Sequence, residues 1–501
     1  MDPIAVVAGR LLPRREDLRA MVLLAGPVVA IQVGMMLMGV VDTIMVGHVS
    51  TVALAAVALG NLYFFALGVF GMGTLMVLDP VVAQAVGARD DPAIARGIQR
   101  GFLIALLIGV PATLLLLPAE LLMTLARQPA EVIPHAAAYA VRLTPGVLPF
   151  FFFIVLRQSL QSMHRTAPIM IAIVVANLAN AGLNWVLIFG NLGAPALGVE
   201  GSAWATTISR WLLLTLVLAL GWETLRPHLL PVRREIFHWA PLGRMLRLGL
   251  PIGCQYALEF GAFAFVALMM GWLGTREMAG HQVAINLASL TFMVPLGVAD
   301  AASILVGHGV GRGDLSATRG AARAALLCGV GFMSCTAVAF LTAPGSFARL
   351  YTEETAVLAV AVSLIPLAGV FQVFDGTQTV AGGILRGLGE TKVAMLVNLV
   401  GYWCFGLPVS YLLGFVFGLG PGGLWYGLVL GLAAVATILL VRVRMALARE
   451  RRRVLIDHPV PEPVHPASPR DDPPGPAARE MWSLRGAPVR ADRPESGLPE
   501  A

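Results

Sequence analysis

Long apolar stretches recur along this chain, and they constrain its fold more than any other feature. A helix needs about 20 residues to cross the hydrocarbon core of a bilayer. Hydrophobic residues make up 57% of the sequence and charged residues 13%, whereas a soluble domain is typically about 25% charged. The pattern predicts an all-α integral membrane protein with twelve transmembrane helices at 20–46, 52–78, 97–118, 136–160, 167–190, 200–222, 247–272, 278–305, 318–343, 357–384, 392–416 and 422–446.

Basic residues predict the orientation of these spans. If the spans alternate, most arginines and Lys392, the only lysine, fall in loops on the side that carries both chain termini. Because cytoplasmic loops are enriched in Lys and Arg, both termini are expected in the cytoplasm. This assignment treats Arg157 and Arg386 as cytoplasmic loop residues and Arg210 as lying on the opposite side. The net charge of +6 is spread over short loops, so it does not indicate a nucleic-acid partner.

The two halves of the sequence resemble each other. Pro27 matches Pro251, and Gly87 matches Gly311, both at an offset of 224 residues. A repeat of about six spans in the same orientation predicts two six-helix lobes, a parallel pseudo-repeat found in secondary transporters, with binding near mid-membrane. The predicted segments are a cytoplasmic N-terminal segment (1–19), an N-lobe (20–222), a cytoplasmic linker (223–246), a C-lobe (247–446) and a cytoplasmic, mostly disordered tail (447–501).

Carboxylates inside the predicted spans are the candidate functional residues. Asp42, Glu259 and Asp375 each lie in an otherwise apolar stretch. A carboxylate at the bilayer centre costs about 2.5–3.5 kcal/mol on insertion scales, so such residues usually face a cavity and mark an ion or substrate pathway. Asp79 and Asp300 lie nearer the predicted cytoplasmic ends, where pairing with loop arginines is the favoured interpretation.

Five motifs give the chain a family resemblance. They are 41–47 (VDTIMVG), 180–190 (NAGLNWVLIFG), 280–286 (GHQVAIN), 306–311 (VGHGVG) and 381–391 (AGGILRGLGET). In this order and at these lobe positions, the chain resembles multidrug and toxic compound extrusion (MATE) transporters, closest to the NorM-like branch. The resemblance implies two lobes around a V-shaped cavity in a bacterial cytoplasmic (inner) membrane. It also implies a secondary active antiporter that exports amphipathic, mostly cationic compounds by alternating access, in exchange for Na⁺ or H⁺.

The resemblance also implies site residues. Asp42, Glu259 and Asp375 would couple transport to the cation, so Na⁺, if it is the ion, would bind at one of these carboxylates. Secondary polar candidates are Asn180, Asn184 and Thr206 beside Asp42, and Gln255, Gln282 and Asn286 in the C-lobe. Helix packing through hydrogen bonds is the alternative role for these side chains. Asn184 and Phe371 stand where some relatives carry Asp and Tyr, which weakens the case for strong Na⁺ sites because hard cations prefer several oxygens.

Other classes of function lack support in the sequence. It contains no Walker lysine motif, no HExxH and no strand followed by GxGxxG, so no enzyme and no cofactor is expected. The expected partners are small amphipathic or cationic drugs and the lipid bilayer, and the expected oligomeric state is a monomer. The alternative function is a lipid-linked oligosaccharide flippase of the same superfamily. Such a flippase would line its cavity with arginine, whereas the intramembrane charges recognised here are acidic.

Overall fold

The computed structural model describes residues 13–449 and 453–457 and confirms the all-α, twelve-span prediction. Every regular element in this described part is helical. The helices long and apolar enough to span a membrane are α1 (Arg15–Gly47), α2 (Thr51–Gly87), α3 (Asp91–Leu116), α4 (Ile133–Ser162), α5 (Ala167–Phe189), α6 (Val199–Leu220), α7 (Trp239–Leu273), α8 (Thr275–Arg312), α9 (Leu315–Thr342), α10 (Thr355–Gly387), α11 (Thr391–Val416) and α12 (Gly420–Ala448).

Short polar side chains set the starts of several helices. Ser50 accepts a hydrogen bond from the backbone N–H of Ala53 at the start of α2. Asp90 and Asp314, which match in the sequence repeat, accept bonds of 3.0 and 2.9 Å from the third residue of α3 and α9. Such caps satisfy backbone donors that a helix leaves unpaired at its N-terminus. The repeat is therefore visible in the local chemistry of the helix ends.

The lobes, α1–α6 and α7–α12, meet through contacts that obey the same repeat. A Cβ atom added to Gly73 of α2 would lie 2.9 Å from Cα of Gly253 in α7. A Cβ added to Gly297 of α8 would lie 2.9 Å from Cα of Val29 in α1. Gly297 follows Gly73, and Gly253 follows Val29, by the same 224 residues. Glycine is needed at both places because backbone approaches this closely only where no side chain intervenes.

Because the spans alternate in direction, we call the side that carries residues 15, 87, 312 and 448 the terminal side, and the other the opposite side. On the terminal side, the predicted linker contains a helix over Trp222–Leu229 and a 3₁₀ turn over Arg234–Phe237. The span α7 already begins at Trp239, eight residues before the predicted start of the C-lobe.

Residues 453–457 fall in the predicted tail, yet they lie against the N-lobe; we call them the strap. Val454 donates its backbone N–H to Oε1 of Gln84 at 2.7 Å, and Arg453 pairs with Asp90 at 2.9 Å. Ile456 is buried in the N-lobe hydrophobic core. Residues 1–12, 450–452 and 458–501 lie outside the described part, so the expectation of disorder there stays a prediction.

Candidate functional site

Asp42 lies in α1, about one and a half turns before its end on the opposite side, and only 2% of it is exposed. Asn184 of α5 donates to Oδ1 of Asp42 at 2.6 Å, and Thr206 of α6 donates to Oδ2 at 2.7 Å. Asn184 also donates to Oδ1 of Asn180 at 3.1 Å. The structure therefore brings together Asp42 and all three of its predicted polar neighbours, from three helices.

Arg210 of α6 is a buried cation near Asp42 that the sequence interpretation had assigned to the opposite side rather than to a site. Its guanidinium carbon lies 4.0 Å from the ring centre of Phe64 and 5.2 Å from that of Phe150. The field of Arg210 reaches Asp42. The sequence did offer a signal that Arg210 belongs to this site: it follows Thr206 by four residues, so the two side chains share one helical face. A fixed cation here opposes the binding of a second, mobile metal cation.

The C-lobe carboxylates are joined by a residue that the sequence interpretation missed. Glu259 lies in α7 and Asp375 in α10. Gln378, three residues after Asp375 on the same helical face, donates its amide to Oε1 of Glu259 at 3.0 Å and to Oδ1 of Asp375 at 3.3 Å. One side-chain amide thus ties the two predicted carboxylates into a single site between α7 and α10.

The predicted neutral partners of this pair lie elsewhere, with one exception. Gln255, one turn before Glu259, lines the same cavity. Gln282 instead donates to Asn286 at 3.3 Å on an exposed face of α8. Among the described residues, no hydrogen bond joins Gln282 or Asn286 to either carboxylate. These two predicted partners lie apart from the pair along the helix: Asn286 is about one turn, and Gln282 about two turns, nearer the opposite side than Ser289, which lines the cavity.

Uncommitted oxygen atoms surround the C-lobe pair. Phe371, which lacks the hydroxyl expected from the resemblance, packs edge-on against Phe263 and Trp425. Tyr402 of α11 supplies a hydroxyl nearby: it is 1% exposed, its ring centre lies 6.0 Å from that of Phe263 in the cavity wall, and its hydroxyl makes no hydrogen bond within the described residues. Oε1 of Gln378 is likewise buried and unpaired there. Two carboxylates with two further oxygens are the ligand type that hard cations prefer.

A cavity of about 380 Å³ contains this pair. Its wall is mainly aromatic and aliphatic and includes residues of both lobes, such as Phe65 of α2 and Phe260 of α7, whose ring centres are 5.2 Å apart. The polar side chains that reach it include Glu259, Asp375 and Arg386. A pocket of about 300–1,000 Å³ that is mostly apolar, with a few polar groups, is typical of small-molecule sites.

Tyr256 and Arg386, which line the cavity, belong to a set of ionic and polar side chains that we call the floor cluster: Gln32, Asp79, Arg157, Tyr256, Asp300 and Arg386. Arg386 pairs with Asp300 at 2.9 Å and with Asp79 at 3.4 Å. Asp79 and Asp300 therefore do pair with an arginine, but the arginine is in the last turn of α10. Arg157 and Arg386 are 4% and 5% exposed, so neither is the loop residue assumed for orientation. The intramembrane charge is thus not only acidic.

Known proteins resemble this chain over most of its length. The MatE family model matches residues 27–186 and, separately, residues 251–412, one match in each lobe. The chain is 38% identical over 452 residues to "Probable multidrug resistance protein NorM" of Mesorhizobium japonicum, covering 87% of this chain and 96% of the relative. It is 34% identical to "Multidrug resistance protein MdtK" of Edwardsiella ictaluri, covering 86% and 95%.

Solved structures resemble the fold. The eukaryotic MATE transporter AtDTX14 aligns with a TM-score of 0.79 at 24% identity, over 87% of this chain and 99% of that one. An outward-facing multidrug resistance MATE transporter of the MOP superfamily aligns with a TM-score of 0.79 at 21% identity, over 86% and 96%.

Proposed function

Because this chain belongs to the MATE family, we propose that it is a secondary active efflux antiporter for amphipathic, mostly cationic compounds, exchanged for Na⁺ or H⁺ by alternating access. It is a multi-pass membrane transporter rather than an enzyme. The relatives' names, which refer to multidrug resistance, support efflux as the direction of transport. The observation that carries the proposal is the pair Glu259 and Asp375 inside a cavity with aromatic walls.

The cavity suits an amphipathic cation on three counts. Its volume matches a drug-sized ligand. Its aromatic rings offer apolar contact, and their faces attract positive charge. The carboxylates of Glu259 and Asp375 add negative charge where water is scarce and electrostatic attraction is strong. A neutral or anionic compound would gain from the volume and the apolar contact but not from either electrostatic attraction.

Exchange follows if drug and coupling cation use the same carboxylates. A cation that binds Glu259 or Asp375 removes the negative charge that holds a cationic drug, so each ligand lowers the affinity of the other. Linkage makes this effect equal in both directions. The amide of Gln378 contacts both carboxylates and would transmit a change at one to the other. Asp42 would be a second coupling site, where the nearby positive charge of Arg210 opposes the binding of H⁺ and Na⁺ alike.

Efflux from proteoliposomes with separately imposed Na⁺ and pH gradients tests the proposal. Ethidium is the probe, and Glu259→Gln and Asp375→Asn are the variants. Each variant should lose most of the transport while still inserting in the membrane. Ser363→Ala is the matched control, because this side chain lies on α10 like Asp375, is exposed, and does not line the cavity. Wild-type transport by both carboxylate variants would reject the assignment.

The gradients separate the remaining alternatives. Efflux that follows the pH gradient alone would identify H⁺ as the coupling ion, and dependence on the Na⁺ gradient would identify Na⁺. Efflux that persists without either gradient would indicate a channel. Absence of efflux under both would favour the flippase. We also propose that the protein acts as a monomer in a bacterial inner membrane, with both termini cytoplasmic; cysteine labelling from either side of the membrane tests the orientation.

A further inference from the structure

The floor cluster crosses the boundary between the lobes. Gln32, Asp79 and Arg157 belong to the N-lobe, whereas Tyr256, Asp300 and Arg386 belong to the C-lobe. Two contacts cross this boundary through polar atoms: Asp79 with Arg386 at 3.4 Å, and Gln32 donating to Asp300 at 2.9 Å. Two members of the cluster, Tyr256 and Arg386, line the cavity, and Arg386 lies in the last turn of α10 on the terminal side.

Each lobe contributes one carboxylate and one guanidinium to the cluster, but their contacts differ. If the lobes part, Arg386 keeps Asp300, at 2.9 Å, and Tyr256, at 3.2 Å, within the C-lobe. In the N-lobe, Arg157 donates to Oε1 of Gln32 at 3.3 Å, whereas the direct charged partner of Asp79 is Arg386 of the other lobe. Leaving a buried charge without a partner is strongly destabilising. The cost of parting the lobes therefore falls on Asp79, and this cost favours the closed arrangement.

Asp79 is the weakly held member of the cluster. It is 1% exposed, and neither of its carboxylate oxygens accepts a hydrogen bond from the described residues. Its direct partner is Arg386 at 3.4 Å, across the boundary. Asp300, in contrast, accepts from Arg386 and from Gln32, both at 2.9 Å. Asp79 to Arg386 is therefore the contact that breaks first when the lobes move apart.

A second layer, which we call the glycine seam, lies nearer the terminal surface and follows the sequence repeat. Gln84 of the N-lobe donates to the carbonyl of Gly387 at 2.9 Å, and His308 of the C-lobe donates to the carbonyl of Ser162 at 2.8 Å. A Cβ on Gly87 would lie 2.4 Å from the carbonyl oxygen of His308. The repeat partner of Gly87, Gly311, makes the equivalent approach: a Cβ there would lie 2.1 Å from the carbonyl oxygen of Gln84.

From these two layers we propose that the floor cluster and the glycine seam form the gate on the terminal side, and that Arg386 holds it shut. Arg386 acts as a positioning residue: it sets which side of the cavity is open rather than binding the transported compound. Calling this a transport gate rests on the proposed function. The physical claim, that these contacts hold the lobes together on one side, can be tested without transport.

The distance between spin labels on the two lobes tests the gate. Labels at Arg165→Cys and Arg312→Cys, both exposed on the terminal side, are introduced after replacement of native Cys254, Cys328, Cys335 and Cys404. The unmodified gate should give mainly a short distance. Arg386→Gln should lower the ratio of short to long distances by about tenfold or more, because it leaves Asp79 and Asp300 facing each other.

Further variants keep the test decisive if Arg386→Gln fails to fold. The double variant Asp79→Asn with Arg386→Gln lacks the crossing pair and leaves one carboxylate, Asp300, instead of two facing each other, and it should also populate the long distance. Tyr256→Phe, which alters only a contact within the C-lobe, should keep the short distance. An unchanged distance in the double variant, or a Tyr256→Phe shift as large as that of Arg386→Gln, would overturn the role of Arg386.

Glycine substitutions test the seam by steric contact alone. Gly87→Ala and Gly311→Ala should each raise the long-distance population, and by similar amounts, since their surroundings are equivalent. Gly331→Ala is the control, because a Cβ there has no atom within 4 Å. Short distances in both seam variants would reject the seam. If the lobes separate as expected but no compound is exported, the proposed function fails and the gate stands.

Discussion

The strap offers a prediction that can be worked out in detail, through the change Asp457→Asn. Asp457 pairs with Nη2 of Arg100 at 2.7 Å and with Nε of Arg96 at 2.6 Å. Arg100 is 1% exposed, and its other partner is the backbone carbonyl of Glu235 at 3.2 Å. The carboxylate of Asp457 is therefore the counter-ion of a buried cation, supplied from beyond the last membrane span.

The expected loss is about 2–3 kcal/mol of strap docking free energy. A hydrogen bond to a charged group is worth about 1.5–3 kcal/mol. The bond to Arg100 should contribute an energy at the upper end of this range, because that guanidinium is buried. The bond to Arg96 should contribute less, because the side chain of Arg96 is 17% exposed. Asn retains one acceptor, so only part of the sum is lost. At 1.4 kcal/mol per tenfold, the docked population falls about 30- to 150-fold relative to the undocked one.

This loss should appear as release of the strap, not as unfolding. Once the strap undocks, water can solvate Arg100. The free-energy cost of leaving the Arg100 charge unpaired therefore cannot exceed the free energy of strap docking. Hydrogen exchange reports the event directly, because the amide of Val454 is protected by Oε1 of Gln84. If opening and closing are faster than exchange, the rate at this amide should rise by the same 30- to 150-fold factor.

Acidic pH should also release the strap. Partial burial pushes the pKa of Asp457 up, but hydrogen bonds from Arg100 and Arg96 outweigh it and hold the pKa below its usual value. A carboxylate with a depressed pKa in the folded state stabilises docking above its unfolded pKa of about 3.9 and loses that effect as pH falls through the depressed value. Wild-type protection should therefore hold from pH 8 to 5 and fall only below about pH 4. Protection in Asp457→Asn should lack this step.

The matched control is Glu235→Gln. Glu235 also pairs with Arg96, but at 3.5 Å and with a side chain that is 60% exposed, and such surface pairs contribute about 0–1 kcal/mol. Exchange at Val454 in this control should stay within about fivefold of wild type. Wild-type exchange in Asp457→Asn, or equal acceleration in both variants, would refute the argument that burial of Arg100 gives the strap its strength.

Three further predictions concern the lobes. Asp42→Asn should lower ethidium efflux about tenfold or more with normal membrane insertion, because a coupling site loses its charge; normal efflux would exclude Asp42 from coupling. If Na⁺ is the coupling ion, Tyr402→Phe should raise the Na⁺ concentration for half-maximal efflux about fivefold, the equivalent of one hydrogen bond; an unchanged value would remove this hydroxyl from the site. Gly253→Ala should lower the free energy of unfolding by about 1–3 kcal/mol through overpacking, since its Cβ would meet Thr74 and backbone atoms. Gly182→Ala, with no atom within 4 Å, should not lower the melting temperature, and an equal fall in both would contradict the packing argument.

The candidate site was predictable from sequence only where residues share one helix or a family motif. Asp42 with Asn180, Asn184 and Thr206 follows from the resemblance, and the structure joins them by hydrogen bonds. The C-lobe carboxylates follow from their cost in an apolar span. Gln378 was overlooked because a glutamine one helical turn after an aspartate is common in helices. Its role becomes visible only when α7 packs against α10 and brings Glu259 within hydrogen-bonding distance of its amide. Gln282 lies apart from the pair because it is about two turns nearer the opposite side than Ser289 of the cavity wall, and the sequence does not specify how far helices are shifted along their axes.

The sequence by itself determined the class of protein, the number of spans, the repeat and the intramembrane carboxylates. These are properties of single segments: the length of an apolar run, the spacing of two copies, the cost of a charge in lipid. Only the tertiary structure decided which charges meet. Arg386 pairs with Asp79, and Asp457 pairs with Arg100, each from more than 300 residues away in the sequence. A buried charge is tolerated only beside its partner, and the partner becomes known only when the lobes are packed together.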